Sequence, residues 1–200
     1  MLVLAAQLLD LLWGMFLLLG VERLAIVPGI TAANPLDLVF VPFSHSLAAA
    51  GIWALVASMA YANFVQYGRA RGTPWIVGAV VLAHWFLDLL VHRPDLPLIG
   101  TRLKVGLGLW TYPLPSLLLE LGLLAGSLWW YYRRSGPASR RLRYGLLALA
   151  ALLAVVQVGA AFGPPPPNVH VVAISAAVTP VAITAVVYWL ERGERRAAPA

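Results

Sequence analysis

The 200-residue sequence contains no cysteine. That absence excludes disulfides, thiolate nucleophiles and cysteine-ligated metal, and it leaves the redox compartment unmarked. Any transition metal must therefore be held by His, Asp or Glu. Charge is scarce as well: Asp, Glu, Lys and Arg make up 11% of the chain, against roughly 25% in an ordinary soluble domain. The amino terminus has no basic run and no small-residue cleavage site, so its apolar start reads as a retained span, with Asp10 inside it. No internal repeat is visible, and the only low-complexity segment is Pro164 to Pro167, read as a stiff extended connector.

What is present points to the bilayer as solvent. Hydrophobic residues account for 61% of the chain and the mean hydropathy is +0.82. Helices of about 20 apolar residues fill this length and leave no room for a separate soluble domain. The formal charge is +6, but the basic residues cluster between apolar runs instead of lining one polar face. They read as topology signals, not as a nucleic-acid surface.

The apolar runs predict an all-α, polytopic transmembrane bundle, a single integral membrane domain over residues 1–200 with about six spans. These are Leu2 to Gly20, Ser46 to Tyr67, Trp75 to His92, Pro113 to Tyr132, Tyr144 to Phe162 and Val171 to Leu190. Breakers punctuate the connections: Pro28, Pro35 and Pro42, then Gly72 and Pro74, Pro94 and Pro97, and Gly136 with Pro137. Arg69, Arg71, Arg133, Arg134, Arg140, Arg141, Arg143, Arg192, Arg195 and Arg196 fall on one side of such a bundle. Only Arg23, Arg93, Arg102 and Lys104 fall on the other. Because cytoplasmic loops carry the Lys and Arg excess, both termini are expected in the cytoplasm. Trp129, Trp130, Tyr131 and Tyr132, directly before Arg133, fit an aromatic belt at that boundary.

The residues that can carry chemistry lie within the apolar runs. His84, Asp88 and His92 recur every four residues and share one helix face. An ionisable group inside a membrane costs roughly 2.5 to 3.5 kcal/mol on insertion scales and normally faces a partner or a wet cavity. A shared cation satisfies such a face; a hydrogen-bonded pair joining two helices is the plainer alternative. Ser44-His45-Ser46 opens the second span at the same boundary, with Ser44 placed to cap the helix and Ser46 to orient His45. Asp10 and Glu120 are two further buried acids, and no Lys or Arg lies inside any span to neutralise them. Imidazole with hard oxygen ligands suits zinc, manganese or iron.

Gly100 to Lys104 and Gly106 to Trp110 bring flexible backbone and two cations beside this group. They suit an anionic headgroup or phosphate, or simple packing. Pro94 disfavours continued helix, so Arg93 and Asp95 fall in the outer loop that follows it. His170 reads as a surface residue, and Glu22 with Arg23 as a local pair without chemistry.

AQLLDLLW around Asp10, PFSHSL around His45, AHWFLDLLVHRPDLPL around His84, Asp88, His92 and Asp95, and KVGLGLW before the fourth span together resemble one family. It is that of the bacterial predicted membrane-bound metal-dependent hydrolases, the LexA-regulated hydrolase-like multispan proteins. The resemblance covers most of the chain. It implies a helical protein of the bacterial inner membrane, with a divalent metal centre carried over onto His45, His84, Asp88 and Asp10. It also implies a Gly-His segment ahead of the first span, which this sequence does not contain.

The expected chemistry is metal-assisted hydrolysis, with Glu120 or His92 as general base. The substrate is expected to be lipid-linked or membrane-delivered, a phosphoester steadied by Arg93, Arg102 or Lys104. A Ser44-His84-Asp88 nucleophilic triad ranks below it, because no nucleophile-elbow sequence surrounds the serine. The alternatives are a proton- or cation-coupled transporter using the same residues, and a noncatalytic membrane scaffold in which they join helices.

Overall fold

A computed structural model describes residues 1–65, 73–134 and 139–197, with side chains through residue 192. Arg69, Arg71, Gly72, Gly136 and Pro137 lie outside the described residues, as do the side chains of Arg195 and Arg196.

Among the described residues α-helix dominates, in seven segments. Two short ones open the chain, α1 (Leu2–Ala6) and α2 (Leu8–Leu18), followed by α3 (Leu47–Phe64) and α4 (Thr73–Val91). Then come α5 (Pro113–Arg134), α6 (Arg140–Phe162) and α7 (Val169–Ala197). The five from α3 onward are long and apolar enough to cross a membrane, which points to an integral membrane protein. The expected first span is not one helix. It is interrupted at Gln7, whose φ of −115° and ψ of 12° step out of the helix; no proline or glycine marks that place in the sequence.

The all-α expectation needs a correction. The first and third connections expected from the proline pattern carry two antiparallel hairpins: β1 (Arg23–Ile26) pairs with β2 (Leu36–Phe40), and β3 (Leu96–Ile99) with β4 (Arg102–Val105). Extended backbone held away from water must pair its N–H and C=O groups, and a hairpin does so locally. The β3–β4 turn uses Gly100 at φ 58°, a conformation glycine adopts without a Cβ clash. The two hairpins lie together, Lys104 Nζ donating to Leu38 O at 3.2 Å, and the Ala33 N–H donates to Trp110 O at 2.9 Å. Gly106 and Gly108 fold the chain back over the end of α4. There Leu107 N donates to Leu89 O at 2.8 Å and Gly108 N to His92 O at 2.7 Å, satisfying carbonyls that the helix end leaves open. The glycine-rich stretch is therefore a helix cap.

Close approach of small residues locks the main helix pairs. A Cβ on Gly14 of α2 would stand 2.5 Å from Ala177 N of α7, and one on Gly78 of α4 would stand 2.3 Å from Ser58 Oγ of α3. Membrane helices associate through such contacts because lipid offers no hydrophobic driving force between them. The core runs through Leu9, Trp13, Ala50, Val81, Trp85 and Ala173. At the opposite end from the hairpins, Arg133 stacks over Trp129 at 5.2 Å, Arg134 over Trp130 at 4.7 Å and Arg141 over Trp189 at 3.9 Å.

Candidate metal centre

Four side chains from three helical regions meet beneath the hairpins: Asp10 of α2, His45 just before α3, and His84 and Asp88 one turn apart on α4. His45 Nε2 lies 3.6 Å from Asp10 Oδ1 and 3.7 Å from Asp88 Oδ2, and His84 Nε2 lies 3.6 Å and 3.3 Å from the same two oxygens. The ligand atoms of Asp10, His45 and His84 all fall within 4.8 Å of one another. The side chains of His45, His84 and Asp88 are 5%, 14% and 16% exposed, while Asp10 is the most open at 39%.

Each imidazole is anchored through its other nitrogen. His84 Nδ1 sits 2.7 Å from Ala6 O. A carbonyl only accepts, so Nδ1 carries the proton there. The interruption at Gln7 makes this contact, since carbonyls in the last turn of a helix lack intrahelical partners. On the other ring, Ser44 Oγ donates to Glu22 Oε2 at 2.5 Å, and His45 Nδ1 lies 2.8 Å from the same hydroxyl oxygen. The hydroxyl's one proton is committed to the carboxylate, so its oxygen accepts from Nδ1. The N–H groups of Phe43 and Ser44 donate to Glu22 Oε1 at 2.8 and 2.9 Å, and Glu22 is only 2% exposed. Trp85 Nε1 donates to His45 O at 2.8 Å, and the Trp13 ring meets the imidazole edge-on at 5.6 Å.

Both Nε2 atoms thus face two carboxylates. Two acids sharing one pair of nitrogens need positive charge between them, and the Oδ2 atom of Asp88 is buried without a hydrogen-bond partner. A cation among the four atoms meets both needs. The four separations are longer than the roughly 2.7 to 2.9 Å of charge-assisted N–H···O bonds and near the about 3.3 Å between two ligands held at about 2.0 to 2.1 Å across a tetrahedral angle. Asp10, His45 and His84 form the group whose ligand atoms are mutually close, with Asp88 beside both imidazoles, and imidazole with carboxylate is a donor set that suits a divalent ion.

The serines exchange their expected roles. Ser46 is the α3 cap, its Oγ accepting from Ala49 N at 3.1 Å, whereas Ser44 orients His45. Glu22 does not pair with its neighbour: Arg23 stacks over the Phe40 ring at 5.3 Å, while Glu22 stands behind the Ser44–His45 contact. The reading of Glu22 as a residue without chemistry missed it, because its partner lies 22 positions away in the chain.

The remaining candidates lie outside the four-residue cluster. His92 is buried, with Nδ1 3.2 Å from Asp95 Oδ1 and its ring 4.3 Å from that of Trp110. Arg93 bridges Asp37 and Asp95, tying the first hairpin to the end of α4. Lys104 is held by Leu38, and Arg102 is exposed on β4. Glu120 accepts from Ser116 Oγ at 3.1 Å, from Trp110 Nε1 at 3.3 Å and from Gln157. His170 is exposed at the start of α7, as expected.

Cavities connect Glu120 to the cluster. A middle chamber of about 480 Å³ is walled by both Asp88 and Glu120, together with Gln7, Leu124, Leu153 and Gln157. On the hairpin side it adjoins a chamber of about 490 Å³, sharing Trp110, Glu120 and Gln157, which reaches Pro28 and Pro164. On the far side it adjoins an apolar chamber of about 700 Å³ that shares Gln7, Leu124, Leu153 and Ile183. No family model matches the chain, and neither does any curated protein or solved structure.

Proposed function

We propose that this chain is a membrane-embedded, metal-dependent hydrolase of the kind its motifs resemble, acting on a membrane-delivered substrate in a bacterial inner membrane. The observation that carries the reading is the pair of imidazoles with Nδ1 engaged as donor and Nε2 turned onto two shared carboxylates at 3.3 to 3.7 Å. His45, His84, Asp88 and Asp10 hold a divalent ion, with zinc, manganese and iron the fitting choices. Such an ion supplies Lewis acidity, polarising a scissile bond and making water a better nucleophile at neutral pH.

The residues around it divide the remaining work. Glu22, through Ser44, keeps His45 in the tautomer that presents Nε2, and Ala6 O does the same for His84. Glu120 is the better-supported general base, because it shares a chamber with Asp88; His92 is engaged by Asp95 and Trp110. The apolar walls restrict water to the polar edge of that chamber.

The topology that goes with this reading has six crossings and cytoplasmic termini. The first crossing is the interrupted α1–α2 segment, about 25 Å long at 1.5 Å per residue, near the roughly 30 Å hydrocarbon thickness. The ten-to-four distribution of Lys and Arg supports the orientation, which puts the metal centre near the non-cytoplasmic surface.

The test is metal content of the tag-free chain after dialysis against zinc, beside His84→Ala. The expected result is one ion per chain, lost in the variant. Equal, substoichiometric metal in both samples refutes the centre, and ion flux in proteoliposomes under those conditions would favour the transporter.

A further inference from the structure

The chambers beside the metal centre restrict what can be delivered to it. The middle and far chambers meet at Gln7, Leu124, Leu153 and Ile183, forming one passage between α1 and α4 on one side and α5, α6 and α7 on the other. Each has the size of a small-molecule site, about 300 to 1,000 Å³. Their polarity is one-sided. Asp88, Glu120, Gln157 and Thr179 face the middle chamber, whereas the far one is walled mostly by apolar residues such as Leu2, Val80, Leu146 and Leu149, with Ser127, Tyr131 and Glu191 as its polar residues away from the junction. From Val80 to Asp88 along α4 is about 12 Å. An occupant therefore has a polar head beside Asp88 and a hydrocarbon tail running deeper between the helices.

The charge of the head follows from the walls. Among the described residues no Lys or Arg lines either chamber. Arg93 and Lys104 are committed to Asp37, Asp95 and Leu38 in and beside the hairpins, and Arg102 lies on the exposed strand β4. A divalent ion would be balanced by Asp10 and Asp88, which leaves Glu120 in the middle chamber and Glu191 in the far one as additional acids. A phosphate or carboxylate head would meet this acidic, poorly hydrated wall without a counter-ion. An uncharged head with hydroxyl or amide donors meets acceptors instead.

We infer that the passage binds a single-chain amphiphile with an uncharged acyl-ester or acyl-amide head, the carbonyl beside Asp88 and the tail between α1 and α6. The inference rests on the hydrolytic reading for its reaction, and on cavity shape and wall charge for its ligand. In that reaction water adds across the acyl bond. Its oxygen joins the carbonyl carbon, the bond to the alcohol oxygen or amine nitrogen breaks, and the proton accepted by Glu120 passes to the leaving group. The products are a fatty acid, which gives up its remaining proton to water as it ionises, and an alcohol or amine; no oxidant or co-reactant is needed.

Binding is tested apart from turnover with monolauroylglycerol carrying a diazirine at the tail end, photolysed with the full chain in nanodiscs. Label is expected at the Leu146 to Leu153 stretch of α6 and near Ile183. Unmodified monolauroylglycerol should compete it away, and an equal concentration of lauryl phosphate should not. Leu153→Trp, which fills the junction, should lower labelling at least tenfold, as should Leu124→Trp from the opposite wall. Val155→Trp, on an outward face that is 69% exposed, should leave it unchanged. Label spread over outward positions such as Val155 and insensitive to competitor overturns the passage, as does indifference to both junction variants in folded protein. Equal competition by lauryl phosphate overturns the uncharged head. Zinc content measured on the same samples separates the two ideas. Bound zinc without specific label sinks this inference alone, while specific label without zinc supports it and sinks the hydrolytic reading.

Discussion

The half of the molecule built from α2, α3, α4 and α7 and the hairpin α5–α6 are made of equally apolar sequence but differ in packing. In α3 and α4 the buried positions include Ala50, Ala54, Ser58, Gly78, Val81 and Trp85. In α5 the only buried residue is Ser116, and in α6 only Leu142. Yet α6 is the most hydrophobic of the five candidate crossings, at a mean hydropathy of 2.3. In lipid, hydrophobicity does not say which face is inside, because tails are as apolar as leucine. Small residues and ionisable groups mark the inside, and Asp10, His45, His84 and Asp88 all lie in the first half. The tight half holds this cluster, and the loose hairpin lines open cavities beside it.

The largest effect expected from breaking this division is at the ligands. Asp88→Ala removes one carboxylate and leaves two Nε2 atoms with a single acid. Zinc affinity, measured by competition with a chromogenic chelator, should fall by more than the roughly 100-fold that marks the upper end for outer partners. A fall under tenfold would remove Asp88 from the ligand set.

Next is the seam between α2 and α7. Gly14→Ala puts a Cβ against the Ala177 backbone at 2.5 Å, and overpacking of this kind costs about 1 to 3 kcal/mol. The midpoint of thermal unfolding in detergent should drop accordingly. The same substitution at Gly122 of α5, where a Cβ meets nothing within 4 Å, should be neutral or stabilise the chain by up to about 1 kcal/mol. Equal destabilisation at the two positions would erase the contrast between the halves.

Between these in character lies the support behind His45. Glu22→Gln keeps the shape but weakens the acceptor that orders Ser44, so zinc should bind about 10- to 100-fold more weakly. Thermal stability of the metal-free chain should change less than it does for Gly14→Ala. Unchanged zinc affinity would reduce Glu22 to a loop tether.

How much of this was legible in the sequence follows from the same physics. His84 and Asp88 could be paired from their spacing, since i and i+4 share a helix face. Asp10 and His45 could be grouped with them because buried charge needs partners. The long helices matched the expected spans to within a few residues, apart from the carboxyl end of α7, which continues past Leu190. The interruption at Gln7 could not be seen, since no proline or glycine marks it and the contact it frees, from Ala6 O to His84, spans 78 positions of the chain. The hairpins were hidden because their strands are short and contain proline, as at Pro97. Glu22 was passed over because only the fold brings it to Ser44. The expected phosphate-binding role of Arg93, Arg102 and Lys104 rested on proximity in sequence; Arg93 and Lys104 find partners in and beside the hairpins, and Arg102 is exposed on β4.

The central claim is that one ion is coordinated jointly by residues of α2, α4 and the segment before α3. X-ray absorption at the zinc edge of the tag-free, zinc-loaded chain tests it most directly. The account predicts a first shell of nitrogen and oxygen at about 2.0 to 2.1 Å, with the multiple-scattering signature of two imidazoles, reduced to one in His84→Ala. A spectrum without imidazole scattering, or one identical in wild type and His84→Ala, would contradict it.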